Sequence, residues 1–208
     1  MGRGIQAAVF DLGGVLVEVD AGRAPIAWAE AVGVSAEEVL RRIGGQTLSD
    51  AFERGEIAPE AFGRQVRDRF DGRLSAEAFL RGWNAILGAP LPGTEALLAL
   101  LARLARRMRL AALTNTNAIH AAAVRRTCAR LLEPFERVFM SFEMGARKPE
   151  AACFRQVLDW LGLPPDRVVY FDDNPENVEA AARLGMAARA VNGPADVARE
   201  LAALGVQC

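Results

Sequence analysis

Four short apolar runs, each ending in polar residues, set the plan of the chain. Ile5, Ala8, Val9 and Phe10 lead into Asp11 and then Gly13-Gly14. Leu110-Ala111-Ala112-Leu113 leads into Thr114-Asn115-Thr116-Asn117. Arg137-Val138-Phe139-Met140-Ser141 precedes Gly145-Ala146-Arg147-Lys148-Pro149-Glu150. Val168-Val169-Tyr170-Phe171 leads into Asp172-Asp173-Asn174-Pro175-Glu176-Asn177. Runs of this length, apolar at successive positions, predict strands of a parallel sheet buried on both faces. A fifth run, Met186 to Val191, predicts one more strand.

Helical periodicity fills the spaces between them. Leu97, Leu98, Leu101, Leu104 and Met108 form one apolar stripe after Leu91-Pro92-Gly93-Thr94. Phe154, Val157, Leu158 and Leu161 fall at i, i+3, i+4 and i+7, with Pro149 suited to that helix's first turn. Glu176 to Leu184 and Pro194 to Leu204 predict two more helices. From Ala21 to about Gly88 the pattern is helical throughout, with no strand signal. Its apolar positions include Ile26, Trp28, Ala29, Val32, Val39, Leu40, Ile43, Phe52, Phe62, Val66 and Phe70. Ser35-Ala36-Glu37-Glu38 and Ser75-Ala76-Glu77 read as helix starts. Roughly 70 residues of short helices are too many for one crossover, which favours a small helical domain inserted after the first strand.

The strand ends carry the candidate chemistry. Right-handed crossovers bring the ends of parallel strands to one edge of the sheet, where ligands bind. That edge gathers Asp11, Thr114, Lys148, Asp172 and Asp173. A lone carboxylate at the end of a buried strand is costly without a partner or a metal. Adjacent carboxylates such as Asp172-Asp173 repel each other and suit a hard divalent cation. Thr114 and the backbone N–H groups after it suit an anion, although Thr and Asn also serve as plain helix caps. A lysine beside a helix start is electrostatically misplaced unless it faces an anion, as Lys148 then would. Together the set fits metal-assisted phosphoryl transfer. His120, the single histidine, lies among alanines after the Thr114 turn, a setting more typical of packing than of catalysis.

Composition narrows the classes. The chain has 208 residues, 51% of them hydrophobic, enough for one large core or a core with a small insert. A net charge of −1, evenly mixed, gives no sign of a nucleic-acid or membrane partner. The three cysteines, Cys128, Cys153 and Cys208, show neither metal spacing nor a disulfide framework, which fits a cytoplasmic protein. The apolar start is broken by Asp11 and does not read as a signal peptide, and no run is long enough to span a bilayer.

Four motifs in this order resemble those of the haloacid dehalogenase superfamily, in the branch with a helical cap after the first motif. They are Asp11-Leu12-Gly13-Gly14-Val15, Leu113-Thr114-Asn115-Thr116-Asn117, Arg147-Lys148-Pro149 and Phe171-Asp172-Asp173-Asn174. Arg54-Gly55-Glu56-Ile57, Thr114 to His120 and Phe171 to Asn177 look most like bacterial sugar-phosphate phosphatases of the glucose-1-phosphate type. The N-terminal phosphatase domain of soluble epoxide hydrolases is similar too. The resemblance implies an α/β, Rossmann-like three-layer core, residues 1–17 and 90–208, with a helical cap at 18–89. It implies a Mg²⁺-dependent phosphatase acting on a small phosphorylated metabolite, a sugar phosphate; the sequence leaves monomer or homodimer open. Asp11 would be the nucleophile. Asp11, the Gly13 carbonyl and Asp173 would hold Mg²⁺, with Asp172 supporting from behind. Thr114, Asn115 and Lys148 would bind the phosphoryl group.

One position departs from that pattern. Most phosphatases of the superfamily carry a second Asp two residues after the nucleophile, as general acid and base. Here it is Gly13, and such a group is worth about 10² to 10⁴ in rate. Glu18, Asp20 and His120 are the nearby residues that could stand in. A non-catalytic phospho-ligand-binding module, crippled at Gly13, is the competing expectation. A dehalogenase, which needs no metal, is the third.

Overall fold

The computed structural model describes residues 4–45 and 47–206; Cys208 lies outside them. The chain runs β1 (Ala7–Phe10), β2 (Val17–Val19), α1 (Arg23–Val32), α2 (Ala36–Ile43), α3 (Thr47–Glu53), α4 (Pro59–Asp68) and α5 (Ala76–Ala85). It continues β3 (Leu87–Pro90), α6 (Thr94–Leu104), β4 (Arg109–Thr114), α7 (Ala118–Thr127), β5 (Arg137–Met140), α8 (Ser141–Met144) and α9 (Ala151–Leu161). It ends with β6 (Val168–Asp172), α10 (Pro175–Arg183), β7 (Ala187–Ala190) and α11 (Pro194–Ala203).

The main sheet is parallel, in the order β5-β4-β1-β6-β7. Alternation within its strands explains why successive central positions are apolar. Ala8, Phe10, Leu110, Ala112, Val169 and Phe171 join one buried cluster with Leu97, Leu101 and Leu104 of α6 and Val197 and Leu201 of α11. Ala7, Val9, Ala111, Leu113, Val168 and Tyr170 join a second with Cys153, Phe154, Val157 and Leu161 of α9 and Ala180 and Ala181 of α10. The result is a three-layer α/β fold of Rossmann type. Because β1 lies between β4 and β6, the ends of all three strands are neighbours, and Asp11 stands between Thr114 and Asp172.

Helices α1 to α5 pack around a core of their own, which includes Trp28, Val39, Phe52, Phe62, Val66, Phe70 and Phe79. Ser35 and Ser75 cap α2 and α5, each accepting a backbone N–H three residues on. Glycines fit tightly here: a side chain at Gly82 would run into the Trp28 indole, and one at Gly63 into Phe79.

Three expectations need correction. The stretch to Gly88 is not free of strand, since β2 and β3 pair antiparallel as a two-stranded ribbon at the base of the helical segment. Residues 87–90 read Leu-Gly-Ala-Pro, too short and too poor in β-branched residues to signal it. Pro149 is not in the first turn of α9, whose N-cap is Glu150. Ile26 and Leu40 are exposed rather than packed with their helical neighbours.

Candidate active site

Asp11 follows β1 and is buried at the sheet edge. Its Oδ1 accepts the Leu12 N–H at 2.7 Å, and its Oδ2 lies 2.9 Å from Lys148 Nζ. Lys148 bridges to Asp172 Oδ2 at 2.7 Å. One ammonium thus sits between two buried carboxylates. Burial pushes the Asp11 carboxyl up to about 6, despite the pull of Lys148. Burial alone would lower Lys148, but Asp11 and Asp172 outweigh it and hold its pKa above the usual lysine value. So the lysine, which a loop position suggests should be solvated, is charged and almost fully enclosed.

Backbone contacts fix this lysine. Asn115 forms a reciprocal amide pair with it: Asn115 Nδ2 donates to the Lys148 carbonyl at 2.9 Å, and Lys148 N–H donates to Asn115 Oδ1 at 2.8 Å. Ser141 Oγ ties the two loops again, accepting from Thr116 N–H and donating to the Thr116 carbonyl. Asp172 is saturated by donors. Tyr170 Oη, Lys148 Nζ, both contacts of Asn177 Nδ2 and the Asn174 N–H all reach its carboxylate. It is therefore a support for Lys148 and not a free ligand.

Asp173 is different. It is exposed at the surface, yet partial desolvation of the carboxyl, followed by the Asp172 charge, raises its pKa. Oxygens of Asp11, Asp172 and Asp173 lie within 4.8 Å of one another. Gly14 is in the left-handed region at φ 70°, and a Cβ there would collide with the Asp173 carboxylate. A glycine-lined cradle of hard oxygen donors, with excess negative charge, fits a divalent cation of the Mg²⁺ or Mn²⁺ type.

Asp11, Lys148 and Asp173 line one cavity of about 360 Å³, together with Gly13, Glu53, Thr114, Asn115 and His120. So Asp11, Gly13, Thr114, Asn115, Lys148 and Asp173 all meet at one place, with Asp172 directly behind. Of the proposed substitutes for the missing acid, Glu18 and Asp20 do not line the cavity and are paired with Arg23. At Gly13 a Cβ would lie 3.1 Å from Val19 Cγ2, so an apolar ribbon residue packs closely against the position that lacks the carboxyl.

His120 lines the cavity but is bonded at both nitrogens. Asn117 Oδ1 accepts the N–H groups of Ile119 and His120 and the Trp83 indole N–H, which fixes its amide. Its Nδ2 therefore donates to His120 Nδ1, and His120 Nε2–H donates to the Trp83 carbonyl at 2.9 Å. The imidazole also stacks on Trp83. It joins the helical segment to the sheet core, and burial lowers its pKa to about 4. The unfolded chain takes up this proton near pH 6.5 and the folded chain does not, so stability falls as pH drops from about 6.5 to about 4. The unfolding free energy from denaturation curves is expected to fall over that range by on the order of 3 kcal/mol more in the wild type than in His120→Phe.

A second set of contacts joins helical segment and core. Arg147 reaches Asp50 at 3.0 Å and Glu53 at 2.9 Å, and Arg54 reaches Glu150 at 2.6 Å. Gly55 abuts the Phe142 carbonyl with no room for a side chain. Glu53, Tyr170 and Asn177 were not singled out in the sequence as site residues. Tyr170 had a signal, since it lies two positions before Asp172 on the same strand face.

The chain belongs to the haloacid dehalogenase-like hydrolases: that family's model matches residues 5–185. Its relatives make it a phosphatase of that family. It is 30% identical to a phosphatase of Mycobacterium tuberculosis, Phosphatase MT3486, over 97% of this chain and 95% of the relative. It is also 30% identical to Hexitol phosphatase A of Escherichia coli, over 92% of this chain and 85% of the relative. Among solved structures it superposes on the HAD-family enzyme BT-2542 of Bacteroides thetaiotaomicron, in complex with magnesium and inorganic phosphate. That match has a TM-score of 0.78 and 26% identity and covers 90% of this chain and 94% of the other. No helix among the described residues is long and apolar enough to cross a membrane.

Proposed function

We propose that the chain is a Mg²⁺-dependent phosphomonoesterase that cleaves a small sugar or polyol phosphate through an aspartyl-phosphate on Asp11. The observation that carries this reading is the single ammonium of Lys148 held between Asp11 and Asp172 at the cavity floor. Asp11 attacks phosphorus, and the bond from phosphorus to the leaving oxygen breaks. Thr114 and the Asn115 N–H orient the phosphoryl oxygens, while Lys148 offsets their charge. Asp11, the Gly13 carbonyl and Asp173 would hold Mg²⁺, which would supply further neutralisation of the phosphoryl charge. Residues 18–89 act as a cap over a core of 1–17 and 90–208, excluding water and shaping the leaving-group site. The sugar-type substrate is supported by the hexitol phosphatase relative and by Arg54-Gly55-Glu56-Ile57. The retained nucleophile and lysine favour catalysis over a purely binding role.

The test is hydrolysis of a panel of sugar and polyol phosphates after chelation and after Mg²⁺ is returned. Turnover that needs Mg²⁺ and prefers members of the panel over p-nitrophenyl phosphate is expected. Full turnover under chelation would contradict the metal assignment. Gly14→Ala, which displaces Asp173, should raise the Mg²⁺ needed for half-maximal turnover by about 10- to 100-fold.

A further inference from the structure

If Asp11 is a phosphatase nucleophile, two proton transfers need a carrier, and Gly13 offers none. We propose that Glu53 is the general acid and base of this site. Among the described residues, six titratable side chains line the cavity: Asp11, Glu53, His120, Cys128, Lys148 and Asp173. Asp11, Lys148 and Asp173 are committed to attack, charge and metal. His120 has both nitrogens engaged and holds no spare proton near neutral pH. Cys128 is the C-cap of α7, about 12 Å along the helix from His120. Glu53 remains.

Its placement is built. Glu53 is the last residue of α3 and reaches the cavity from the helical segment, facing the strand ends. Arg147 holds both Asp50 and Glu53, and the next residues, Arg54 and Gly55, are fixed to Glu150 and to the Phe142 backbone. Arg147 is the chain neighbour of Lys148, so the clamp on Glu53 and the ammonium beside Asp11 belong to one loop. The groups facing Glu53 are Arg147, Asp50 and, further off, Lys148. Burial raises its carboxyl and outweighs Arg147, which favours a carboxyl able to carry a proton.

The balance closes. As Asp11 bonds to phosphorus and the ester bond breaks, the leaving oxygen takes the Glu53 proton and departs as an alcohol. The Glu53 carboxylate then takes one proton from water. The hydroxide bonds to phosphorus as the Asp11–phosphorus link breaks. This yields hydrogen phosphate, the Asp11 carboxylate and protonated Glu53.

The experiment compares wild type, Glu53→Gln and Glu53→Asp on glycerol 2-phosphate and on p-nitrophenyl phosphate. Gln keeps the size and the bond to Arg147 but carries no titratable proton. On glycerol 2-phosphate, Glu53→Gln should lose about 10² to 10⁴ in kcat. On p-nitrophenyl phosphate, whose leaving group needs no proton, it should give a burst of p-nitrophenol followed by slow turnover. Glu53→Asp should recover part of both. Equal losses in the burst and in glycerol 2-phosphate turnover would overturn the proposal, as would rates within a few-fold of wild type on both substrates. Wild-type turnover that survives Asp11→Asn would instead overturn the phosphatase reading beneath it.

Discussion

Asp11→Asn is expected to fold normally and to lose turnover by on the order of 10³-fold or more. Asparagine has the shape of aspartate, and its amide oxygen can still accept the Leu12 N–H. It lacks the charge that attacks phosphorus. The same substitution should leave the metal-free protein at least as stable as wild type at pH 7. The reason is that burial raises the Asp11 carboxyl, so its ionised form is a net cost to the fold. Lys148 keeps Asp172 as a partner. Urea denaturation of both proteins in the presence of a chelator checks the stability half, and p-nitrophenyl phosphate hydrolysis checks the other. Lost activity without lost stability marks a residue retained for chemistry and not for folding.

Lys148→Met should show the opposite pairing, with activity and stability falling together. Removing the ammonium leaves Asp11 and Asp172 buried and facing each other with no cation between them. Breaking a buried ion pair from one side costs about 3 to 5 kcal/mol. The loss in kcat should reach about 10² to 10³, the usual effect of removing one donor to a developing charge. The double variant Asp11→Asn, Lys148→Met separates the terms. With one carboxylate neutralised, part of the lost stability returns, and the double variant is more stable than Lys148→Met alone. Denaturation midpoints of the four proteins give the coupling. A Lys148→Met protein as stable as wild type would show that the two carboxylates are solvated and the site more open than described.

Much of this was legible from residue patterns. The strands and their polar ends could be read because a doubly covered sheet demands apolar residues at successive positions, as in Ala7 to Phe10 and Val168 to Phe171. The strand ends then had to converge, so Asp11, Thr114 and Asp173 could be placed together before any coordinates. Lys148 gave a true signal, a cation beside a helix start, and its anionic partners are Asp11 and Asp172. What escaped depends on contacts between segments distant in sequence. Nothing local in Glu53 marks it out from other helix-end glutamates; only the Arg147 clamp brings it to the cavity. Asn177 supports Asp172 from one turn into the next helix, and Asn115 is as much a brace for Lys148 as a ligand-facing residue. The β2–β3 ribbon escaped because its register is set by the turn of the chain around the helical segment, not by alternation. That ribbon also supplies Val19, which packs closely against Gly13.

The most direct test of the account is to catch the covalent intermediate. Wild type and Asp11→Asn are mixed with p-nitrophenyl phosphate and Mg²⁺, quenched in acid during turnover, digested and weighed by mass spectrometry. The account predicts a phosphate on the peptide that holds Asp11, present in the wild type and missing from the variant. A wild-type enzyme that turns over with no phosphate on Asp11, or a variant that turns over as fast, would contradict it.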